Sequence, residues 1–270
     1  MNVETARDID KTVLLVERDG PIAILTLNRP QARNSLSEAL LIALSEAWTA
    51  IAAEASIRAV VLAANGPGFC AGHDLKELTG RRSDADGGRA YFRHIMTTCS
   101  AMMQSIVALP QPVIAAVDGV ASAAGCQLVA TCDLAIASPN ARFATPGVDI
   151  GLFCSTPMVA LSRNVSAKHA MEMLLTGDMV SADDAARIGL INRVAPDPRA
   201  EALALAERVA SKSSHVLKIG KQAFYKQAEM GLADAYAYAA GVMTENMMAR
   251  DAEEGICAFI EKRRPSWEDK

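Results

Sequence analysis

Short apolar segments rich in β-branched residues alternate with helix-forming segments through the first half of the chain. We predict strands at residues 13–16, 22–27, 58–63, 113–117 and 133–137. The run at residues 58–63 is short and rich in β-branched residues, which is typical of a buried strand. Parallel strands need a long crossover between them, and here helical segments separate the later strands. The alternation therefore predicts an α/β fold with a mainly parallel sheet.

Turn residues and capping residues mark the ends of several predicted elements. Asp19 and Gly20 separate the first two strands and favour a tight hairpin turn. Ser35 and Glu38 have the spacing of a capping box, which predicts that an amphipathic helix begins there and runs to about residue 54. Residues 80–88 are rich in glycine and aspartate, and they predict a loop.

Helix-forming sequence dominates the remainder. Further helices are predicted over residues 89–108, from Gly125 and from the capping residue Ser181. From Ser155 onward nearly all residues favour helix, apart from a short stretch at residues 190–194 that favours a strand. We therefore expect an α/β core over residues 1–198 and a helical region over residues 199–270.

Length and composition limit the class of protein. A chain of 270 residues fits one large domain, with or without a helical appendage. Hydrophobic residues make up 51% of the chain, which is enough for a core without disulfides. The formal charge of −4 argues against a nucleic-acid-binding protein, which usually carries a basic surplus. An anionic small ligand remains compatible with this charge, because a local basic cluster is sufficient to bind it.

The six cysteines include no Cys-x-x-Cys pair. In alanine- and valine-rich surroundings, cysteines are typically small buried hydrophobic residues, which favours a reduced intracellular protein. No apolar run reaches the length of a membrane span, and residues 1–11 lack the apolar core of a secretory signal. We therefore predict a cytoplasmic protein without a membrane span. No cluster of His, Cys and Asp has metal-ligand spacing, so no metal site is predicted.

Two segments that follow predicted strands carry distinctive motifs, and the second consists of small residues. Residues 69–77 read Phe-Cys-Ala-Gly-His-Asp-Leu-Lys-Glu, and residues 121–125 read Ala-Ser-Ala-Ala-Gly. With residues 112–135 and 143–152, they resemble the enoyl-CoA hydratase/isomerase (crotonase) family, and the resemblance covers roughly residues 11–265. It implies a crotonase-like spiral of β-β-α units with a helical carboxy-terminal trimerisation region, in a homotrimer or a dimer of trimers. The substrate would be an acyl-CoA thioester, with coenzyme A as part of the substrate and no permanently bound cofactor.

The resemblance assigns one backbone donor to each of these segments. The N–H groups of His73 and Ala124 would point at the thioester carbonyl oxygen and stabilise an enolate or a tetrahedral oxyanion. Ala124 fits this role if it begins a helix, where its N–H has no helical partner. Small residues suit the second segment because its backbone must approach the ligand closely. The alternative is that both segments are only tight strand-to-helix turns.

Two positions depart from the residues usual in hydratases of this family. Such hydratases carry one glutamate after the Gly-Cys pair and another after the Phe-x-x-Pro step, where this chain has Gln127 and Gly147. An amide neither accepts nor supplies a proton near neutral pH, and glycine has no side chain. We therefore expect ordinary hydration of enoyl-CoA to be severely slowed unless another group replaces both carboxylates.

Four nearby side chains are candidates to replace them. His73 can titrate near neutral pH, although a lone histidine more often only forms hydrogen bonds in a loop. Asp149 lies two residues beyond Gly147, and Ser155 stands where relatives that isomerise dienoyl-CoA or dehalogenate an aryl-CoA carry an aspartate. We favour Ser155 as the N-cap of the following helix. Cys154 would react only with a lowered pKa, and we favour a buried structural thiol there.

The resemblance also implies contacts with the coenzyme A moiety. The candidate residues are Arg33, Cys70, Ala71, His73, Asp74, Leu75, Lys76, Phe259 and Lys262. Lys76 would approach the phosphates, and Arg33 would stand in for a lysine that the family carries at the position of Gln31. Phe259 and Lys262 would reach coenzyme A across a subunit boundary; the alternative for Lys262 is a solvated helix end, where cations are favourable.

Three hypotheses follow. The first is an acyl-CoA enzyme that stabilises a thioester enolate by the two backbone donors, with its exact reaction unassigned. The second is a non-catalytic acyl-CoA binding or regulatory protein of fatty-acid metabolism, with which Gln127 and Gly147 agree. The third is a true hydratase or isomerase that uses Asp149, His73 or a bound water.

Overall fold

The computed structural model describes residues 13–270, so the expectation for residues 1–11 lies outside the described residues. Within this part of the chain the strands are β1 Leu14–Asp19, β2 Ile22–Leu27, β3 Ala59–Ala64, β4 Val113–Val117, β5 Val120–Ser122, β6 Leu134–Ala137, β7 Arg142–Ala144, β8 Val180–Ser181 and β9 Arg193–Val194. The helices are α1 Glu38–Ala53, α2 Leu75–Gly80, α3 Arg89–Ala108, α4 Ala124–Thr131, α5 Pro157–Asn164, α6 Ala167–Thr176, α7 Ala182–Ile188, α8 Pro198–Ala210, α9 Ser214–Gln227, α10 Leu232–Met247 and α11 Arg250–Glu261. Short 3₁₀ turns cover Pro30–Ala32, Arg81–Ser83 and Pro146–Ile150.

The larger sheet is mainly parallel, as the sequence predicts. Its strand order is β1-β2-β3-β4-β6-β9. Only the β1–β2 hairpin is antiparallel, and the other neighbouring strands are parallel. A smaller sheet with the order β5-β7-β8 lies beside it and carries the second small-residue segment. The fold is therefore α/β, with a helical carboxy-terminal region.

Both faces of the central part of the larger sheet are buried, because alternate residues of β2, β3, β4 and β6 enter different apolar clusters. In β4, Val113 and Val117 pack with α1, α3 and α4, whereas Ile114 packs on the other face. That second cluster is closed by α8, whose residues Ala202 and Ala206 are fully buried. This pattern is expected for parallel strands that helices cover on both sides.

The packing of α8 bears on the expected boundary at residue 199. Because α8 covers one face of the sheet, it belongs to the α/β core, and the helices that stand apart from the sheet begin after Ala210. The periodic alanines of α8 allow the helix to approach the strands closely. Residues 199–210 favour helix but carry no sequence feature that shows which surface they cover.

Two predicted caps are wrong, and the reason is local hydrogen bonding. Helix α1 begins at Glu38 with Ser37 as its N-cap, and the Ser37 hydroxyl accepts from the N–H of Leu40. Ser35 instead donates its hydroxyl hydrogen to Asp74 in the loop. At α5 the N-cap residue is Thr156, and no side chain caps this end of the helix. Ser155 donates to the carbonyl of Phe153 and is exposed.

Other boundaries differ in detail. The predicted loop at residues 80–88 contains a 3₁₀ turn at Arg81–Ser83 and is preceded by α2, which the sequence analysis missed. The strand expected at residues 190–194 is limited to Arg193–Val194. Ser181 is the N-cap of α7, as predicted, and its hydroxyl accepts from the N–H of Asp184.

Candidate active site

The first loop, residues 68–74, is held between two neighbouring segments. On one side, Cys70 donates to Val120 at 3.1 Å and accepts from Ser122 at 2.9 Å, both in β5. On the other side, Leu36 donates to the carbonyl of Gly72 at 2.7 Å and accepts from Asp74 at 3.2 Å. In such a parallel bridge the residue between the two bonds turns its own N–H away from the partner strand. The N–H of His73 therefore points away from Leu36.

The second loop connects β5 to α4 by a residue in an unusual conformation. Ala123 has φ 50° and ψ −117°, a combination that glycine adopts far more readily than alanine. Such a residue stores roughly 1–3 kcal/mol of strain, and this strain is common at functional sites. Ala124 is the first residue of α4, so its N–H has no acceptor within the helix.

The two loops approach each other so closely that glycine is required at the contact. A Cβ atom at Gly125 would lie 2.1 Å from the carbonyl oxygen of Cys70. A Cβ atom at Gly72 would lie 3.4 Å from the backbone nitrogen of Ala124. Because Gly72 directly precedes His73, the N–H groups of His73 and Ala124 belong to backbone segments in direct contact. Such a pair of fixed donors can stabilise negative charge on one oxygen atom.

Gln127 lies one turn of α4 after the second donor. Its side chain is 5% exposed, and its Oε1 atom has no hydrogen-bond partner among residues 13–270. The Oγ1 atom of Thr145, two residues before Gly147, is likewise buried without a partner in the described chain. Buried polar atoms normally have partners, so these two mark a place where a water or a ligand can bind. Thr145 could not be identified from the sequence, because a threonine before a proline carries no distinctive chemical signal.

The space beside Gly147 is occupied by the thiol of Cys154. A Cβ atom at Gly147 would lie 3.0 Å from the Sγ atom of Cys154 and 3.0 Å from the carbonyl oxygen of Leu152. Burial raises the pKa of the Cys154 thiol, and the backbone of Gly147 opposes this only in part. The group in this position is therefore a neutral thiol at pH 7.

The imidazole of His73 is placed poorly for proton transfer. Both ring nitrogens are buried and without a hydrogen-bond partner in the described chain. Burial lowers the pKa of His73, and the nearby backbone of Leu36 opposes this shift. The ring is therefore neutral at pH 7, and the backbone N–H remains the group by which this residue can act.

Asp149 and Ser155 lie on exposed parts of the polypeptide. The carboxylate of Asp149 packs beside the turn after α6, where it would be 3.2 Å from a Cβ atom at Gly177. The hydroxyl of Ser155 is bound to the carbonyl of Phe153 at 3.3 Å. Neither side chain makes a hydrogen bond that would activate it as a base or a nucleophile.

The residues expected to contact coenzyme A differ in their surroundings. Arg33 and Lys76 are exposed cations at opposite ends of the first loop, beside the exposed side chains of Ala71 and Leu75. Asp74 forms a 2.9 Å ion pair with Arg29. Cys70 is fully buried, and burial raises the pKa of its thiol to about 12.

Phe259 and Lys262 lie on the last helix of the chain. Phe259 is 84% exposed on α11, and Lys262 ends that helix in a left-handed conformation. Helix α11 packs against α10. Despite this packing, the apolar ring of Phe259 stays largely exposed to solvent in the single chain.

The described residues contain neither a metal-binding cluster nor a helix that could span a membrane. Within residues 13–270, no three His, Cys, Asp or Glu side chains are grouped closely enough to hold a metal ion. None of the helices in this range combines the length and the apolar character that crossing a membrane requires.

Comparison with known proteins agrees with this architecture. The model of the enoyl-CoA hydratase/isomerase family matches residues 17–270. Enoyl-CoA hydratase domain-containing protein 3, mitochondrial, from Rattus norvegicus is 47% identical over 253 residues, which cover 93% of this chain and 82% of that protein.

Two solved structures are similar along most of the chain. The crystal structure of an enoyl-CoA hydratase from Mycobacterium smegmatis has 52% identity and a TM-score of 0.89, covering 94% of this chain and 98% of that one. The crystal structure of human enoyl-CoA hydratase domain-containing protein 3 has 44% identity and a TM-score of 0.90, covering 94% of this chain and 100% of that one. This chain therefore belongs to the enoyl-CoA hydratase/isomerase family.

Proposed function

We propose that the protein binds an acyl-CoA thioester and polarises its carbonyl group by the N–H groups of His73 and Ala124. The observation that carries this proposal is the direct contact between the two loops, with one unused backbone donor on each side. Loss of one such donor typically costs ~3–4 kcal/mol of transition-state stabilisation. An enolate of an enoyl-CoA or another acyl-CoA is the species that this arrangement would stabilise.

Ordinary hydration of enoyl-CoA is not the reaction that these side chains favour. Positioned acids and bases each accelerate reactions by ~10²–10⁴-fold, and here an amide and a neutral thiol occupy the two positions. His73 is neutral with buried nitrogens, and Asp149 is exposed beside Gly177. The third hypothesis, a hydratase that uses these groups, therefore has the weakest support.

A second candidate function is non-catalytic binding of acyl-CoA, in a regulatory protein of fatty-acid metabolism. The specific observation in its favour is the Cys154 thiol, which fills the space beside Gly147 and cannot act as a base at neutral pH. Such a protein would keep the two donors and release its ligand unchanged.

Assembly into a homotrimer or a dimer of trimers is part of this proposal. Helices α9 to α11 expose large apolar side chains at Phe224, Leu232, Tyr236, Met243, Met247, Met248, Phe259 and Ile260. Apolar surface of this extent usually marks a protein–protein interface. Phe259 and Lys262 would then contact coenzyme A bound to a neighbouring subunit. A cytoplasmic location stays our prediction, whereas the rat and human relatives are named mitochondrial.

A panel of coenzyme A esters tests the proposal. The purified protein would be incubated with saturated, enoyl, dienoyl and malonyl-type esters, and each ester followed by mass spectrometry and by chromatography, since isomers share a mass. Protein-dependent conversion of any ester would identify an enzyme if this conversion is abolished in the variant Ser155→Ala, His73→Ala or Asp149→Asn. Saturable binding without conversion would support the second candidate function, and absence of binding to every ester would refute both.

A further inference from the structure

Arg29 holds the end of the first loop by its guanidinium group. Its Nη2 atom donates to Oδ2 of Asp74 at 2.9 Å, and its Nη1 atom donates to the carbonyl of Ser35 at 2.6 Å. The Ser35 hydroxyl donates to the same Asp74 oxygen at 3.2 Å. The side chains of Arg29 and Asp74 are only 16% and 12% exposed. This is a charge-assisted contact in a partly desolvated place, where such bonds are strongest.

The Asp74 carboxylate also bonds to the residues that follow it in the chain. Asp74 directly follows His73, and its Oδ1 atom accepts the N–H groups of Lys76 and Glu77 at the start of α2. The same carboxylate is therefore bound to Arg29 and to the helix that continues the loop. The N–H of His73 belongs to the preceding peptide, whose Gly72 carbonyl accepts from Leu36. A displacement of Asp74 would therefore reach this N–H through the Cα atom of His73.

Asn34 restrains the other end of the loop. It is fully buried, and its Nδ2 atom donates to the carbonyls of Asn65 and Gly68, both at 2.8 Å. Its Oδ1 atom accepts the backbone N–H of Arg29 at 2.7 Å. The turn at residues 29–34 therefore reaches both ends of residues 68–74, on the side of the loop opposite to β5.

A direct role for Arg29 in binding phosphate does not fit these contacts. Both terminal nitrogens of the guanidinium group already donate to protein acceptors, and the side chain is mostly buried. Arg33 is the exposed arginine of the same turn and makes no side-chain hydrogen bond in the described chain. The two arginines thus differ in role: Arg33 is available to an anionic ligand, whereas Arg29 is committed to the loop.

We propose that Arg29 is a positioning residue, which acts through Asp74 to aim the N–H of His73 at the thioester oxygen. This inference rests on the proposed function, because it assumes that the carbonyl binds at the two donors. Arg29 touches no reacting atom itself. Its removal should loosen the donor while leaving the sites for the rest of coenzyme A intact.

A chromophoric thioester reports directly on the hydrogen bonds that its carbonyl oxygen accepts from the protein. The absorption of 4-(dimethylamino)cinnamoyl-CoA moves to longer wavelength when its carbonyl oxygen accepts hydrogen bonds, because the excited state carries more negative charge on that oxygen. We expect Arg29→Gln to reduce the shift seen in the wild-type protein to less than half. Arg29→Lys should retain part of it, since an ammonium can bind Asp74 but cannot also reach Ser35. Affinity for S-butyl-CoA, which lacks the carbonyl, should stay within twofold.

Two further variants make the outcome decisive. Asp74→Asn keeps an acceptor for the start of α2 but weakens the pair with Arg29, so it should also reduce the absorption shift. This variant tests the proposal if Arg29→Gln does not fold. Arg163→Gln removes an exposed ion pair with Glu229 and should leave the shift unchanged. A full absorption shift in the folded Arg29→Gln and Asp74→Asn variants would overturn the role of Arg29 but not the proposed function. An equal loss of affinity for the chromophoric thioester and for S-butyl-CoA would have the same meaning. A bound probe without any shift in the wild-type protein would overturn the proposed function as well.

Discussion

At the scale of single residues, the site is defined by an exchange of side chains. Gly147 has no side chain, and the neutral thiol of Cys154 occupies the space beside it, where the family resemblance leads us to expect a carboxylate. Gln127 keeps the size of a glutamate and lacks its charge. Under the proposed function, neither position supplies a carboxylate for proton transfer, whereas the backbone donors of His73 and Ala124 are retained.

Restoring the carboxylates should therefore require a third change. Gly147→Glu alone places atoms against the Cys154 thiol and should destabilise the fold by about 1–3 kcal/mol, as overpacking usually does. The triple variant Gln127→Glu, Gly147→Glu, Cys154→Gly should relieve the thiol contact and hydrate crotonyl-CoA at least ~10²-fold faster than the wild-type protein. Loss of the enoyl absorbance measures the rate, and urea unfolding measures the stability. Gln127→Glu alone is the control. No gain in a folded triple variant that binds crotonyl-CoA would contradict our placement of the site.

At the scale of elements, one buried ion pair joins α9 to the core. The Nζ atom of Lys221 lies 2.7 Å from Oδ2 of Asp133 and also donates to the carbonyl of Ile106 at the end of α3. Tyr225, one turn further along α9, donates to the other oxygen of Asp133 at 2.9 Å. Burial lowers the pKa of Lys221, and Asp133 opposes that shift. Asp133 thus has a structural role, because it accepts from both Lys221 and Tyr225 of α9.

Removal of the cation should be far more harmful here than at the surface. Lys221→Met would leave the Asp133 carboxylate mostly buried without its partner, and we expect the free energy of unfolding to fall by about 3–5 kcal/mol. Arg163→Gln, which breaks the exposed pair with Glu229, should cost less than about 1 kcal/mol. Guanidinium unfolding of both variants tests the difference. Equal effects would show that the buried pair contributes no more than a surface pair.

At the scale of the whole molecule, the carboxy-terminal tail ties the last helix back to the sheet. Asp269 forms an ion pair with Arg58, and the indole of Trp267 donates to the carbonyl of Ser211. Asp251, buried on α11, accepts the N–H groups of Glu268 and Asp269 at 2.7 and 3.0 Å. The tail therefore fixes the orientation of α11, which carries Phe259, relative to the core.

The attachment of this tail should weaken in acid. Burial acts to raise the pKa of Asp251, but hydrogen bonds from Ser213, Glu268 and Asp269 outweigh it and hold the pKa below its usual value of about 3.9. A lowered folded-state pKa gives a contribution that is complete above the unfolded-state pKa and is lost as the pH falls through the folded-state value. In a Trp48→Phe background, the fluorescence of Trp267 should therefore report release of the tail below about pH 4.

Two variants control for general acid unfolding. Asp251→Asn should release the tail already at neutral pH and flatten the fluorescence change, whereas Asp234→Asn, at the exposed start of α10, should leave it intact. Circular dichroism on the same samples follows the helices as a whole. An identical midpoint in all three proteins would exclude Asp251 as the group responsible.

The sequence by itself determined the strands of the larger sheet and most of the helices, but it did not predict α2 or the strands β5, β7 and β8. The strands of the larger sheet and the β1–β2 hairpin could be predicted because backbone propensity and side-chain period act over a few neighbouring residues. The absence of both carboxylates was likewise visible at Gln127 and Gly147.

Only the tertiary structure decided how the site is completed and held. Ser35 has a cap-like spacing, yet it bonds to Asp74, and Ser37 caps α1. The restraint of Asp74 by Arg29 and the packing of α8 on the sheet join residues that are far apart in the chain. The Cys154 thiol reaches Gly147 by the fold of a turn that residue spacing does not specify. The physical reason is common to all of these: such contacts depend on packing and on the competition for each polar partner, which exist only once the chain has folded.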